Sequence, residues 1–325
     1  MKKIYYITAV FATLFLVGCG DGIDLPGVNV ETDLNKIPLP DNNVNLEQVE
    51  LKPSTEPMLH EGLHTEEDFQ RIRDKKAAGE EPWVSAYQLL VESQFSQKTA
   101  DTYPTEWIKR GVSGDENYMN AARGATIAYQ QALRWKIEQD DEYAAKAVEN
   151  LNKWVQTCVG VTGNTNLSLA AGLYGYEFAI AGELLRDYGG WDRADFAAFQ
   201  NWLLKVFYPA NDDFLKRHHD TNALHYWANW CLCNIAAKMA IGIVTDRRDI
   251  YNEGIAHLQT GDTNGRLRRA IYHDYAPDYN FAQWQESGRD QGHTLMCVGL
   301  MGVICQLAWS QGDDFFAYDD NLFLR

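Results

Sequence analysis

The residues with the clearest chemical potential lie between positions 283 and 293, in the run QWQESGRDQGH. Its candidate side chains are Gln285, Glu286, Arg289, Gln291 and His293. A strongly apolar stretch follows, and dense polar groups at the start of a buried helix are costly unless they bind something. If that helix begins near Asp290, then Arg289 and His293 are neighbours four positions apart.

A second polar segment covers residues 215–230, LKRHHDTNALHYWANW. Asn222, His225 and Asn229 are separated by three and four positions, so a helix through this segment would place them on one face. Trp227 and Trp230 lie beside them. Aromatic planes stack on sugar rings, whereas amides and imidazoles bind hydroxyl or carboxylate groups. The alternative is that these polar groups only satisfy one another inside the fold.

A third segment, residues 265–280, carries an arginine run followed by aromatic residues. Arg266 precedes Tyr272, His273 and Tyr275 by a few positions. A nearby arginine favours the phenolate form of a tyrosine, which makes the tyrosine a usable base near neutral pH. The alternative is a solvated arginine run next to tyrosines that only pack.

Charge and composition exclude several classes of function. The 325 residues include 29 Lys and Arg against 45 Asp and Glu, a net charge of -16, which argues against a nucleic-acid partner. The six cysteines show neither zinc spacing nor the density of a disulfide scaffold, and buried thiols are the simplest interpretation of the five that follow Cys19. The sequence therefore predicts no metal site and no cofactor.

The N-terminus predicts export and lipidation. Lys2 and Lys3 precede an apolar run that is too short to span a membrane, and the run ends in Leu-Val-Gly-Cys at Cys19. This ending resembles a bacterial lipobox, so residues 1–18 are expected to be a signal peptide and Cys19 the acylated first residue. Residues 19–56 are rich in Asp, Asn, Pro and Gly and predict a flexible linker. We expect a lipoprotein on the periplasmic or surface side of the bacterial envelope, at the outer membrane.

The rest of the chain, residues 57–325, predicts one all-α domain. Apolar periodicity indicates helices over 118–137, 142–158, 167–188, 192–207, 222–243 and 247–259, with Thr65 as the N-cap of an earlier helix. Helices that are apolar nearly all round alternate with amphipathic ones, and no segment after residue 60 shows a strand pattern. This alternation favours an α/α toroid of helical hairpins over a stacked solenoid. Apolar residues continue to Arg325, so we expect further toroid helices beyond this position.

Several segments resemble the alginate lyase superfamily, in the branch that includes glucuronan lyases. They are HTEEDFQRIRDKKAAGEEPW, the helix end MAIGIVTDR, AWSQGDD and, most specifically, QWQESGRDQGHT. The resemblance runs from about residue 57 to the end of the chain. It implies an incomplete α/α toroid with a cleft across one end, and cleavage of uronic-acid polymers by β-elimination.

The resemblance also implies roles for the candidate residues. Tyr272 would be the base and acid, with Arg266 lowering its pKa, and His225 and Asn229 would neutralise the substrate carboxylate. Arg289 and His293 would bind substrate or assist proton transfer. The relatives' Asn-Asn-His run is replaced here by His225-Tyr226-Trp227. The substrate-binding set is expected to comprise Asn222, Trp227, Trp230, His273, Tyr275, Gln285, Glu286 and Gln291.

Two other functions fit the same residues. A glycoside hydrolase could use Glu286 and Asp290 as acid and base, because α/α toroids also carry hydrolases. A lipoprotein that binds glycans without cleaving them would use the same aromatic and basic groups.

Overall fold

Long helices dominate the fold, in the order that the apolar periodicity predicts. The computed structural model describes residues 54–325. Its helices are α1 (Glu66–Ala77), α2 (Trp83–Glu92), α3 (Tyr118–Glu138), α4 (Asp141–Thr157), α5 (Leu167–Leu184), α6 (Arg193–Val206), α7 (Tyr208–Arg217), α8 (Ala228–Val244), α9 (Arg248–Thr260), α10 (Leu267–Ala270), α11 (Gln291–Ser310) and α12 (Tyr318–Asn321). Short 3-10 turns cover His218–Asp220, Gln285–Gly288 and Leu322–Leu324. At α1 the predicted cap is confirmed: the Thr65 and Asp68 side chains form a reciprocal capping box.

Helices α3, α5, α8 and α11 form the inner layer, and the first three run parallel. Near the starts of α3 and α5 the rings of Tyr118 and Tyr174 stack with centroids 6.4 Å apart. Near the starts of α5 and α8, Asn234 Nδ2 donates to the Ser168 carbonyl oxygen at 3.2 Å, whereas past the end of α5 Arg186 Nη2 donates to the Val244 carbonyl oxygen at 2.8 Å. The starts of α3, α5 and α8 therefore lie at one end of the ring, and the ends of α5 and α8 lie together at the other.

The fourth inner helix, α11, is parallel to α8. Asn229, in the first turn of α8, and Cys297, in the second turn of α11, both donate to the Glu286 carboxylate. Beyond the other ends of the two helices, Tyr251 OH donates to Asp313 at 2.8 Å. All four inner helices thus begin at the same end of the ring, which we call the N-terminal end. The amphipathic helices α4, α6, α7 and α9 pack outside them, so the predicted all-α fold, an incomplete α/α toroid, is confirmed.

Close packing of the inner layer explains its small residues. A Cβ on Gly172 of α5 would lie 2.5 Å from Cys233 Sγ of α8, so only glycine permits this approach. Cys158, Cys231, Cys233, Cys297 and Cys305 are buried free thiols, as their positions in apolar stripes predict. Helix α11 has the length and hydropathy of a membrane span, but 56% of its apolar window is buried inside the fold, as in an inner helix.

Four short strands correct the prediction of a domain without strands. Strands β1 (Trp107–Arg110) and β2 (Gly160–Gly163) pair in parallel, and β3 (Ile271–Asp274) and β4 (Ala282–Trp284) pair antiparallel. Each has three or four residues, too few for a period-2 pattern to stand out. Strand β1 precedes α3, β2 precedes α5, and β4 leads into α11, so both ribbons lie at the N-terminal end of the ring.

The opposite end of the ring is covered by the start of the described chain. Gln311 Nε2, just past α11, donates to the carbonyl oxygens of Leu59 and Glu61 at 3.0 and 2.7 Å. Arg248 of α9 donates to the Glu56 carbonyl oxygen at 2.8 Å. The predicted signal peptide, Cys19 and residues 19–53 of the predicted linker lie outside the described residues.

Candidate active site at the N-terminal end of the ring

The 3-10 turn Gln285–Gly288 caps helix α8 from 57 positions away in sequence. The Ala228 amide donates to Gln285 Oε1 at 2.9 Å, and the Asn229 amide donates to Glu286 Oε1 at 3.0 Å. Trp227, the N-cap residue of α8, offers no side-chain cap of its own. The first amides of a helix lack intrahelical partners and attract negative charge. The turn therefore fixes α8 to the start of α11.

Glu286 lies at the centre of this contact. We call the cluster around it the Glu286 junction, which consists of Trp227, Asn229, Gln285, Glu286, Arg289 and Cys297. The Glu286 side chain is fully buried. It also accepts hydrogen bonds from Asn229 Nδ2 at 3.3 Å, Arg289 Nη1 at 3.1 Å and Cys297 Sγ at 3.2 Å. Burial and the adjacent carboxylate raise the pKa of the Cys297 thiol. A carboxylate with this many donors holds the junction together.

This geometry argues against Glu286 and Asp290 as the acid and base of a hydrolase. Glu286 has no exposed surface from which to reach a substrate. Asp290 is the N-cap of α11 and accepts from the His293 amide at 2.8 Å. Both carboxylates therefore have structural partners that a hydrolytic role would have to break.

Arg289 presents a cation at the surface of the junction. Its side chain is 37% exposed, and its guanidinium lies 5.8 Å from the ring centroid of Trp227, which is itself 44% exposed. Arg289 Nη1 pairs with Glu286 Oε2 at 3.1 Å, and its Nε lies 3.7 Å from Asp290 Oδ2. An exposed cation beside an exposed indole can bind a sugar carboxylate and stack on the sugar ring. Arg289 and Trp227 are thus brought together as a binding surface.

Asp290 and His293 form an oriented pair on the first turn of α11. His293 Nδ1 lies 2.6 Å from Asp290 Oδ2. Because a carboxylate only accepts, Nδ1 donates this hydrogen bond, and in the neutral imidazole Nε2 is then the nitrogen with a lone pair. Hydrogen bonds from the His293 amide and ring, with the charge of Arg289, lower the pKa of Asp290. Within residues 54–325 His293 Nε2 makes no hydrogen bond, so it is available as a base.

The β3–β4 hairpin places the predicted tyrosine segment beside the same turn. The strand register shifts between Ile271 and His273, so Tyr272 lies in a bulge, which redirects a side chain. The rings of His273 and Tyr275 lie 4.4 Å apart, and Tyr275 OH donates to Gln283 Oε1 at 3.0 Å. Strand β4 ends at Trp284, directly before the Glu286 junction.

The predicted influence of Arg266 on Tyr272 stays a prediction, and the structure adds a second tyrosine beside Arg266, Tyr318. Burial and the charge of Arg269 lower the pKa of Arg266, and Tyr318 is the phenol that acts on it. Burial raises the pKa of Tyr318, against the charges of Arg268 and Arg266. Tyr318 starts α12, a segment that sequence reasoning did not connect with the arginine run. Only the tertiary fold brings Tyr318 close to the arginine run.

The predicted helical face of Asn222, His225 and Asn229 is wrong, because α8 starts only at Ala228. Asn222 Oδ1 instead accepts from the Leu224 amide at 2.8 Å, a local turn that competes with helix formation. His225 is exposed and lies against Tyr226, with ring centroids 4.9 Å apart. Asn229 is buried in the Glu286 junction.

The two remaining predicted binding residues differ in accessibility. Trp230 packs against Tyr226, with ring centroids 4.7 Å apart, and joins the core. Gln291 is exposed at the start of α11. Trp230 therefore supports the loop before α8, whereas Gln291 is open to a ligand.

Sequence reasoning missed two polar groups at this end of the ring. His219 Nε2 lies 3.0 Å from Ser168 Oγ, and Ser168 is at the start of α5. His219 is the middle one of three consecutive residues with a left-handed backbone conformation. Arg110 ends β1 and has a buried nitrogen without a partner. The neighbouring His218 and His219 in the sequence were a usable signal for the first; nothing in the local sequence marked the second. Within residues 54–325 no cluster of three or more His, Cys, Asp or Glu side chains could hold a metal ion.

Comparisons with known proteins identify the family. The family model described as Alginate lyase matches residues 72–322. The chain belongs to the alginate lyase family. This alginate lyase family member is accordingly a polysaccharide lyase, an enzyme class that cleaves carbon–oxygen bonds. A search of curated protein sequences gives no match.

Solved alginate lyase structures share the fold. A variant of alginate lyase A1-III complexed with a tetrasaccharide has 15% sequence identity and a TM-score of 0.59, covering 78% of this chain and 71% of that one. Alginate lyase A1-III from Sphingomonas species A1 has 13% identity and a TM-score of 0.55, covering 81% and 75%. An alginate lyase from Bacteroides ovatus has 14% identity and a TM-score of 0.55, covering 79% and 78%.

Proposed function

We propose that this alginate lyase family member cleaves an alginate- or glucuronan-type polyuronate by β-elimination at the N-terminal end of its ring. The observation that carries the proposal is the joining of Arg289 and the Asp290–His293 pair at the starts of α8 and α11. In a chain of net charge -16, Arg289 is a partly exposed cation that can bind an anionic sugar. The tetrasaccharide bound by a structural neighbour supports an oligosaccharide ligand.

Arg289 is assigned to the carboxylate of the reacting uronate. Neutralising this carboxylate stabilises the negative charge that develops when the adjacent ring carbon loses its proton. His225, exposed on the loop before α8, is a second candidate for this task. Asn229 is not, because its Nδ2 donates to Glu286 and its remaining Oδ1 can only accept.

His293 and Tyr272 are assigned to proton transfer. His293 Nε2 takes the proton from the ring carbon next to the carboxylate, while Asp290 holds the ring by Nδ1. The Tyr272 hydroxyl donates a proton to the departing glycosidic oxygen. The electron pair left on the ring carbon forms the new double bond as the carbon–oxygen bond breaks. The products are an unsaturated uronate and a new reducing end.

A product assay tests this function. The mature chain is incubated with alginate and glucuronan, and the ultraviolet absorbance of the unsaturated sugar is followed together with reducing ends. We expect both signals to rise, and His293→Ala and Tyr272→Phe to lower both by about 100-fold or more. Reducing ends alone would indicate a hydrolase, and binding without either product would indicate a glycan-binding protein. Either result would refute the proposal.

We also propose that Cys19 anchors the enzyme to the bacterial outer membrane. The lipobox-like Leu-Val-Gly-Cys supports acylation, with residues 1–18 removed and residues 19–56 as the linker. In cells fed a labelled fatty acid, the parent chain should carry the label in the membrane fraction. Cys19→Ser should lose both the label and the membrane location, and equal labelling of the two chains would contradict the proposal.

A further inference from the structure

Strand β1 directs adjacent cationic residues to opposite sides. Successive side chains of a strand alternate between its faces. Trp107 is 43% exposed, and Lys109 pairs with Asp115 on that outer face. Ile108 is fully buried, and Arg110 shares its inward face. Arg110 therefore points toward the inner helices, whereas Lys109 points away from them.

The Arg110 guanidinium is partly buried without an anion. Its Nη1 is buried and lacks a hydrogen-bond partner, and within residues 54–325 no carboxylate forms an ion pair with this side chain. It lies 4.7 Å from the ring centroid of Tyr118, which stacks with Tyr174. A cation taken from water without a partner is costly. The tyrosine face offsets only part of that cost.

Electrostatic contacts place Arg110 on the same interior as the Glu286 junction. Burial raises the pKa values of Tyr174 and Cys233, and the charge of Arg110 opposes both shifts. Cys233 in turn contributes to the raised pKa of the Cys297 thiol, which donates a hydrogen bond to Glu286. Arg110 thus lies where α3, α5 and α8 begin, along the ring from Arg289, at the start of α11.

We propose that Arg110 binds the carboxylate of a second uronate unit, one that neighbours the unit held by Arg289. The inference rests on the proposed function, because a polyuronate carries a carboxylate on every sugar. Two cations at different positions along the ring can then engage two units of one chain.

The test compares Arg110→Gln with Lys109→Gln, which remove the same charge from adjacent residues on opposite faces. For polyuronate cleavage, Arg110→Gln should raise KM by about 10- to 100-fold with kcat within about threefold, as expected for one lost charged hydrogen bond. Lys109→Gln should stay within about twofold of the parent. The melting temperature of Arg110→Gln should be unchanged or higher, because an unpaired buried charge has been removed. Arg110→Lys should recover part of the lost affinity.

Calorimetry separates failure of this inference from failure of the proposed function. A tetrauronate and its carboxyl-reduced counterpart are titrated into the parent and Arg110→Gln. Arg110→Gln should weaken binding of the tetrauronate only. Equal loss for both ligands, a KM like that of Lys109→Gln, or a fall in melting temperature would overturn the role of Arg110. A parent that binds the tetrauronate through Arg110 but forms no unsaturated product would refute only the lyase reaction.

Discussion

Two glutamates at different depths of the ring have opposite surroundings. Glu286, at the N-terminal end, accepts from the Asn229 amide, Arg289 and Cys297. Glu177, in the middle of α5, is half-buried, and its Oε2 is a buried atom with no partner within residues 54–325. Burial raises the pKa of Glu177 to about 8. The same side chain is an acceptor of several hydrogen bonds at one depth and a protonated acid at neutral pH at the other.

The groups around Glu177 are neutral for the same reason. His64 Nε2 and Tyr129 OH lie 2.5 Å apart, and burial lowers the pKa of His64 to about 4, against the charge of Asp68. Burial also raises the pKa of Tyr129, as does the Glu177 carboxyl. Glu177, His64 and Tyr129 therefore form a group that is uncharged at neutral pH, away from the Glu286 junction.

Removing the carboxylate of Glu286 should have the largest effect. Glu286→Ala leaves Arg289 and the first amides of α8 without their acceptor, so the free energy of unfolding should fall by about 3 to 5 kcal/mol. Lyase activity should be lost with it. Urea denaturation and the product assay measure the two effects, with Glu286→Gln as the milder variant that keeps one acceptor oxygen. Full activity in Glu286→Ala would show that the junction does not position the site.

Glu177→Gln should instead raise the free energy of unfolding at high pH. The carboxyl has an ordinary pKa of 4.5 and a pKa of about 8 in the fold, so the unfolded chain loses its proton first as the pH rises. This contribution to stability is present at low pH and is lost between pH 4.5 and 8. Above pH 8 the variant should exceed the parent by about 2 to 4 kcal/mol in free energy of unfolding.

Urea denaturation at several pH values tests this contrast. The two free-energy curves should coincide near pH 4.5 and separate as the pH rises. Glu286→Gln should instead be less stable than the parent throughout. Parallel curves for Glu177→Gln and the parent would mean that Glu177 is not a buried neutral acid.

Asp290→Asn isolates the orientation of His293 from the folding of α11. Asparagine caps a helix as well as aspartate does, so the free energy of unfolding should change by less than about 0.5 kcal/mol. The amide holds the imidazole less well, and kcat should fall about 100-fold with little change in KM. An unchanged kcat would remove His293 from proton transfer and leave Tyr272 as the base.

Trp227→Leu should have the smallest effect. Losing the ring beside Arg289 should raise KM about two- to fivefold, the size of an exposed cation–π contact. Trp309→Leu is the control, since Trp309 is 55% exposed near the other end of α11. Equal effects of the two substitutions would show that exposed indoles in general, rather than the surface at Arg289, bind the polymer.

Much of the fold was predictable because it depends on local signals. The predicted helix over 118–137 is observed as Tyr118–Glu138, and 192–207 as Arg193–Val206. Apolar periodicity and caps such as Thr65 act over a few residues, so a single sequence displays them. The predicted start of α8 was wrong because the turn at Asn222 competes with helix formation over the same short range.

The site was predicted in part, for a physical reason. The dense segment 283–293 was found because polar residues before an apolar helix are conspicuous, but Glu286 proved to be a buried capping group and Tyr318 the phenol near Arg266. Residue types and their spacing along the chain determined the helices, the family resemblance and the kind of chemistry. The tertiary structure decided which carboxylate is buried, which arginine lacks a partner and which tyrosine meets a cation. These properties depend on contacts between residues up to 57 positions apart, whose desolvation and pairing energies no local pattern contains.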